Sequence, residues 1–250
     1  MSLSSNTLIH FTSSKDALKG ILAENFRISF CKEGPVLGDK AKEFFVPMVS
    51  FCDIPLSEVK DHIAKYGCYG LGMTRSWAAR HGLNPVLYLE PRSKVANSYE
   101  IAAKYLATAV GDSVRNGQGS EQQVEATVAL ANILAFVKNY EGVLIRKGTA
   151  TPTYRFSDER EWRYVPTEEN FSLIGLGAFE SETTRPARER ADQLRLEFEP
   201  NDIKYIIIKD DSEIHEFIRH LQDVKGKYAH RDVERLTTRI LTTEQILQDF

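Results

Sequence analysis

Three short segments of this 250-residue chain carry side chains whose types and spacing could do chemistry. The first is Asp158-Glu159-Arg160-Glu161-Trp162-Arg163-Tyr164. As a strand, it places Glu159, Glu161 and Arg163 on one face and Arg160, Trp162 and Tyr164 on the other. Two carboxylates so spaced repel, raising at least one pKa unless Arg163 or a ligand compensates. Such an arrangement opposes stability and is met where charge is used. The alternative is a solvated edge strand whose charges guard against aggregation. Trp162 and Tyr164 would anchor either version to a core.

The second segment is Ile9-His10-Phe11-Thr12, where a strand turns His10 and Thr12 to one face. A polar pair in an apolar strand must find partners or line a cleft; a core histidine bonded to a carbonyl satisfies the same pattern. The third is Tyr66-Gly67-Cys68-Tyr69-Gly70-Leu71-Gly72-Met73. Its glycines permit sharp turns or close approach of a ligand, and its tyrosines could stack on a planar or cationic ring. A helix C-cap followed by a bulged strand accounts well for Gly67 and less well for Gly70 and Gly72.

Other signals are weaker. Cys52, His62, Cys68 and His81 do not match a zinc spacing, so no metal is expected. His62 reads as a surface or satisfied histidine. There is no GxSxG, HExxH, kinase set, GxGxxG or Walker loop. Arg185, Arg188, Arg190 and Arg195 are interleaved with Glu189 and Asp192, the pattern of a solvated face.

The elements that must position these residues follow from periodicity and punctuation. Strands are expected at 8–12, 26–30, 47–51, 69–73, 85–89, 142–146, 161–165, 194–198, 205–208 and about 236–241. Helices are expected after Ser13-Ser14, at about 56–65, from the Thr74 cap to Gly82, at about 212–223 and from Thr243. Residues 31–43 read as a loop and 168–192 as a long polar loop. Two Ala-rich helical stretches, 93–110 and 121–139, flank a glycine-containing turn and read as a helical hairpin inserted at about 93–140. The expectation is one α+β domain spanning 1–250.

Composition narrows the class. Hydrophobic residues make up 42% and charged residues 27%, as in an ordinary globular protein able to bury a core. With 32 Lys and Arg against 35 Asp and Glu, the net charge is -3, which disfavours a surface built throughout for nucleic acid. No apolar run approaches the ~18 residues that span a bilayer. The stretch MSLSSNTLIHF lacks a basic region ahead of its short apolar run, so no secretory signal is expected. With three cysteines and no CxxC pair, no disulfide scaffold is expected. These features point to a cytoplasmic protein with no membrane partner.

The order of the chemistry-bearing segments is more telling than any one of them. A His-aromatic-Thr strand, a Gly/Tyr-rich middle segment and a late ExEWR strand resemble the His-Tyr-Glu layout of the ADP-ribosyltransferase superfamily. Within it, LIHFT, VSFCDIPLSEVKDHIAKYGCYGLGMTRSWA and DEREWRY are similar to the abortive-phage-resistance family AbiGi. The opening HFT and following amphipathic helix are also similar to DNA-modifying toxins of the DarT type. The resemblance covers most of 8–90 and 156–165, but neither the Ala-rich hairpin nor the last 60 residues or so. It implies a split mixed or antiparallel sheet with flanking helices, and NAD+ as substrate without a metal.

By the same resemblance, His10 and Thr12 would hold the adenosine ribose, with Ser50 also on the NAD+ side. Tyr66 or Tyr69 would stack on the nicotinamide. Glu161 would be the catalytic glutamate, and Glu159 would orient the acceptor. Arg163 has no family role; pairing with a carboxylate or phosphate is the physical expectation. Cleavage of the nicotinamide–ribose bond develops positive charge on the sugar, which a fixed carboxylate stabilises. The implied activity is transfer of ADP-ribose to a macromolecule, nucleic acid or protein, in a toxin–antitoxin or phage-defence setting. AbiGi proteins also carry the label of antitoxin, so an inert module binding a partner protein is the competing expectation.

Overall fold

A computed structural model of the chain describes residues 5–116, 120–146, 148–166 and 173–249, without the side chains of Val114 and Arg146. The elements used below are β1 (Thr7–Thr12), α1 (Lys15–Glu24), β2 (Ser29–Glu33), β3 (Phe44–Cys52), α2 (Lys60–Tyr66), β4 (Tyr69–Thr74), α3 (Arg75–Arg80), β5 (Asn84–Pro85), β6 (Leu87–Leu89), α4 (Lys94–Arg115) and α5 (Glu121–Leu134). They continue with β7 (Val137–Asn139), β8 (Glu141–Arg146), β9 (Thr149–Arg155), β10 (Glu161–Tyr164), β11 (Ile174–Gly175), α6 (Arg185–Gln193), β12 (Ile203–Ile208), α7 (Ile214–Lys225), α8 (His230–Thr237), β13 (Ile240–Thr242) and α9 (Thr243–Asp249).

The main sheet runs β13-β12-β4-β1-β3-β10-β5, with β2 and β11 also on β3. Within this sheet, among the described residues, β12 and β13 pair in parallel and the other neighbours antiparallel, so the sheet is mixed. Alternation along the central strands sends successive side chains to two different layers. Leu8, Leu71, Met73, Ile206 and Ile208 pack with Leu18 and Leu22 of α1, Trp77 of α3 and Phe217 and Leu221 of α7. Ile9, Cys52 and Ile207 pack instead with Ile63 of α2 and Ile246 of α9. Helices therefore flank both faces of an α+β fold, as the alternating apolar positions anticipate.

Caps fix where these helices begin. The Ser14 hydroxyl accepts from the Ala17 amide and the Thr74 hydroxyl from the Trp77 amide, each satisfying a donor left over at a helix start. Gly70 and Gly72 have a packing explanation. A β-carbon on Gly70 would lie 3.2 Å from the Phe11 ring, and one on Gly72 would lie 3.1 Å from the Tyr205 ring. Both glycines make room for aromatic side chains of the neighbouring strands, and neither lines the cleft described below.

Several boundaries differ from the periodic reading. The strand expected at 26–30 is a two-residue strand, Phe26–Arg27, followed by β2, which continues to Glu33 because it pairs along the first half of β3. The expected loop 31–43 also holds a small hairpin, Val36–Leu37 with Lys40–Ala41. The second Ala-rich helix stops at Leu134, and Val137–Asn139 pairs in parallel with β6. The 85–89 stretch divides between β5 on the main sheet and β6 on that small second sheet. β9 pairs with β8 as a hairpin that periodicity did not indicate.

Within the expected long loop, residues 167–172 lie outside the described residues. The rest holds β11 and α6, whose Ala191 is buried under an otherwise charged helix. The strand expected at 236–241 begins only at Ile240, after α8. The hairpin turn lies partly at 117–119, outside the described residues, as do residues 1–4.

Candidate functional site

β1 and β3 pair at Ile9 and Cys52 and then separate. Past that point the His10 side chain stands where a strand neighbour would be, its Nδ1 2.8 Å from the Ser50 carbonyl oxygen. A cleft of about 280 Å³ opens there, lined by His10, Ser50, Tyr66, Lys138, Glu159 and Glu161 among others. Parting strands leave backbone groups that polar side chains or a ligand must satisfy, so this split is a natural place for a site.

Each side chain is delivered by a specific local device. His10 packs edge-on to Phe26, with ring centroids 5.3 Å apart. Burial pushes its pKa down despite the Ser50 contact, leaving a neutral imidazole that donates from Nδ1 and can accept at Nε2. Tyr66 is the last residue of α2. Gly67 ends that helix at φ 117°. Its missing side chain lets the turn lie against the backbone of Thr12 and Ser13.

Glu159 is not in a strand. It closes a 3-10 turn, Phe156–Glu159, and Arg160 follows in the left-handed region at φ 44° before β10 begins. A non-glycine residue there carries roughly 1–3 kcal/mol of strain, held in place by the backbone bond from the Asp53 amide to the Arg160 carbonyl. Both Glu159 and Glu161 still reach the cleft.

The carboxylates are close-coupled to two cations of different character. Arg163 is sealed from solvent and forks onto Glu161 at 2.7 and 3.2 Å. It also meets Glu33 at 3.0 Å and donates to the Ala135 carbonyl at 2.6 Å. Lys138 stands at the cleft wall, with Nζ 3.0 Å from Glu159 and 2.9 Å from Glu161. Burial alone would raise the Glu161 pKa, but Arg163 and Lys138 hold it down to about 2. Burial would lower the Lys138 pKa, and Glu161 and Glu159 hold it above the ordinary lysine range instead. The expected repulsion is therefore compensated from within the chain, and Glu161 is a fixed anion rather than a proton acceptor at neutral pH. Counting Glu33, this cluster keeps one formal negative charge.

Five of the residues chosen from sequence thus meet: His10, Ser50, Tyr66, Glu159 and Glu161. Thr12 and Tyr69 do not line the cleft; Thr12 sits opposite Tyr69 across β1 and β4, and the Tyr69 hydroxyl donates to Glu213 at 2.9 Å. Arg163 lies behind the cleft wall as the partner of two carboxylates. Sequence reasoning missed Lys138 and Glu33, and His62, read as a surface or satisfied histidine, is buried and lines the cleft. The helical stretch expected at 121–139 puts Lys138 at a helix end, where a lysine is normally solvated; the strand pairing of Val137–Asn139 turns it inward instead.

The cleft suits a small cationic or planar group: a net negative wall, the Tyr66 ring and a neutral histidine acceptor. Two cysteines, Cys31 and Cys52, also line it, but burial pushes both thiols up, Cys31 to about 11, so neither is a ready nucleophile. Among the described residues, no three His, Cys, Asp or Glu side chains converge as a metal site. Nor is any described helix long and apolar enough to cross a membrane.

Comparison with known proteins places this architecture in a family. Residues 22–209 match the family described as putative abortive phage resistance protein AbiGi, antitoxin. The abortive phage resistance protein AbiGi of Lactococcus lactis subsp. cremoris is 28% identical over 236 residues, covering 84% of this chain and 90% of the relative. No solved structure matches the chain. The matched span holds β3, α2 and β10, the elements that carry Ser50, Tyr66 and Glu161, and the chain belongs to the AbiGi family.

Proposed function

We propose that this protein acts in abortive phage resistance by transferring ADP-ribose from NAD+ to a macromolecule, on an ADP-ribosyltransferase-like scaffold. The observation that carries the reading is the meeting of His10, Tyr66, Glu159 and Glu161 around one cleft, from segments 149–151 positions apart at the extremes. The residues present fit the substrate: the negative wall complements a pyridinium, and a ring and a neutral imidazole stand beside it.

NAD+ would supply a sugar carbon that becomes positive as nicotinamide leaves. Glu161, fixed and kept ionised by the buried Arg163, offers its charge to that carbon, which favours the transition state over the ground state. His10 Nε2 accepts a hydroxyl hydrogen from a ribose while Nδ1 stays engaged with Ser50. Tyr66 presents its ring to the leaving group and its hydroxyl to Glu159, fixing the second carboxylate for the acceptor. Incubation with labelled NAD+ in lysate, followed by separate protease and nuclease digestion, tests the reading and identifies the acceptor class. Absence of both labelling and nicotinamide release, also after removal of any bound partner, refutes it.

A second reading has its own support. The family's description as an antitoxin, and the engagement of both carboxylates by Lys138 and Arg163, favour an inert module that neutralises a partner protein. It predicts a complex that survives Glu161→Ala and a melting temperature unmoved by NAD+.

A further inference from the structure

Arg163 and Lys138 both neutralise the acidic pair, yet they are held very differently. The Arg163 guanidinium has no exposed surface and is pinned by two carboxylates and a carbonyl. The Lys138 side chain keeps 18% of its surface exposed, and among the described residues its ammonium meets Glu159, Glu161 and the face of the Phe156 ring, 5.2 Å from its centre. A lysine is a point charge on a flexible four-carbon stem and can leave such a place without breaking a planar fork. Among the described residues, the acidic groups within ion-pair reach of it are the two that would attract a cationic ligand in the cleft.

We propose that Lys138 is a displaceable internal counter-ion, whose ammonium occupies the position in the cleft that the positive charge of an organic cation takes on binding. The inference rests on reading the cleft as a site for a pyridinium-bearing substrate. In the resting protein the ammonium keeps Glu159 and Glu161 together and ionised. A planar cation competes with it for the same two carboxylates, so Lys138 sets a threshold that weak cations do not cross. Neutral planar molecules gain nothing from displacing it. Lys138 in this way selects for charge and lowers affinity, which is the opposite of what a substrate-positioning lysine would do.

Calorimetric titration with 1-methylnicotinamide, a permanent cation, and with neutral nicotinamide separates these roles. Lys138→Met should bind the cation on the order of tenfold more tightly than the wild type, with nicotinamide affinity changed less than about twofold. Lys138→Arg, which keeps a charge at the place, should not gain. A folded Lys138→Met that binds the cation no better than the wild type overturns the proposal, as does a wild type and variant that both fail to bind it.

The wild type gives a second readout that does not depend on the variant folding. Saturation with 1-methylnicotinamide should increase acylation of Lys138 by acetic anhydride, measured by peptide mass spectrometry, while nicotinamide should not. Protection of Lys138 by the cation overturns displacement. Both measurements read binding alone, so failure to release nicotinamide from NAD+ would count against the transfer reaction and leave these results standing.

Discussion

The Tyr66 hydroxyl donates a 2.5 Å hydrogen bond to Glu159 Oε1, tying the end of a helix to a turn 93 positions later in the chain. The Tyr154 hydroxyl reaches the same oxygen at 3.1 Å, and Lys138 holds the other oxygen. Glu159 is thus oriented from three directions although it lies outside any strand. The second tyrosine in the Gly-rich segment, Tyr69, is committed to Glu213, and neither residue lines the cleft.

Replacing each tyrosine by phenylalanine should separate their roles. Tyr66→Phe removes one of the three groups that orient Glu159 and should lower ligand binding or NAD+ turnover about tenfold with a small stability change. Tyr69→Phe should cost about 1–2 kcal/mol of stability, from the loss of a buried bond to a carboxylate, and leave ligand binding intact. Denaturant titration together with calorimetry checks both; equal functional loss from the two variants would contradict the assignment.

Gly67 tests the device that aims Tyr66. A β-carbon at this position would lie 2.4 Å from Ser13 Cα and 2.5 Å from the Thr12 carbonyl oxygen, and φ is already 117°. Gly67→Ala should destabilise by roughly 2–4 kcal/mol, since strain and backbone clash add. Gly175→Ala, where no atom lies within 4 Å, serves as the comparison and should be near neutral. Urea midpoints decide it.

Arg163 tests the buried ion cluster. Arg163→Met removes the sealed cation and leaves Glu161 and Glu33 without it, so a loss of about 3–5 kcal/mol is expected. Lysine at this position restores a charge without the bidentate fork and should recover only part of that stability. The paired urea curves of the two variants measure the difference.

Glu161 makes stability depend on pH in a defined window. Its folded pKa, near 2, lies below the 4.5 of an unconstrained glutamate, so above 4.5 both states are ionised and the native pairing contributes in full. Below 4.5 the unfolded chain takes up the proton first, and the contribution declines until the folded carboxyl protonates near pH 2. Unfolding free energy should therefore fall between about pH 4.5 and 2, more steeply in the wild type than in Glu161→Gln. Identical slopes in the two proteins would contradict the pairing.

His10 should titrate below its ordinary value of 6.5, because burial penalises the charged ring. A lowered folded pKa means that the unfolded chain binds the proton first, so stability should drop as pH falls below about 6.5 and level off beneath the folded pKa. Nitrogen-resolved NMR should find the neutral ring with hydrogen on Nδ1 at pH 7. A ring protonated at that pH would remove His10 as a ribose acceptor.

Much of this molecule is written locally. Apolar alternation at Leu8-Ile9 and Ile206-Ile207-Ile208, the Ser14 and Thr74 caps and the stop at Gly67 set strands and helices, because each depends on neighbours within a few positions. The order along the chain of His10, the segment holding Tyr66 and Tyr69, and the Glu159–Glu161 pair likewise pointed to one polar site. Tertiary structure alone decided which tyrosine faces it, that Gly70 and Gly72 serve neighbouring aromatic rings, and that Val137–Asn139 is a strand carrying Lys138 inward. Those outcomes depend on which distant segments pair, and long-range pairing leaves no periodicity in a three-residue strand. The charge state of Glu161 is divided between the two: strand spacing already set Arg163 beside it, and only the fold adds Lys138 from 23 positions away.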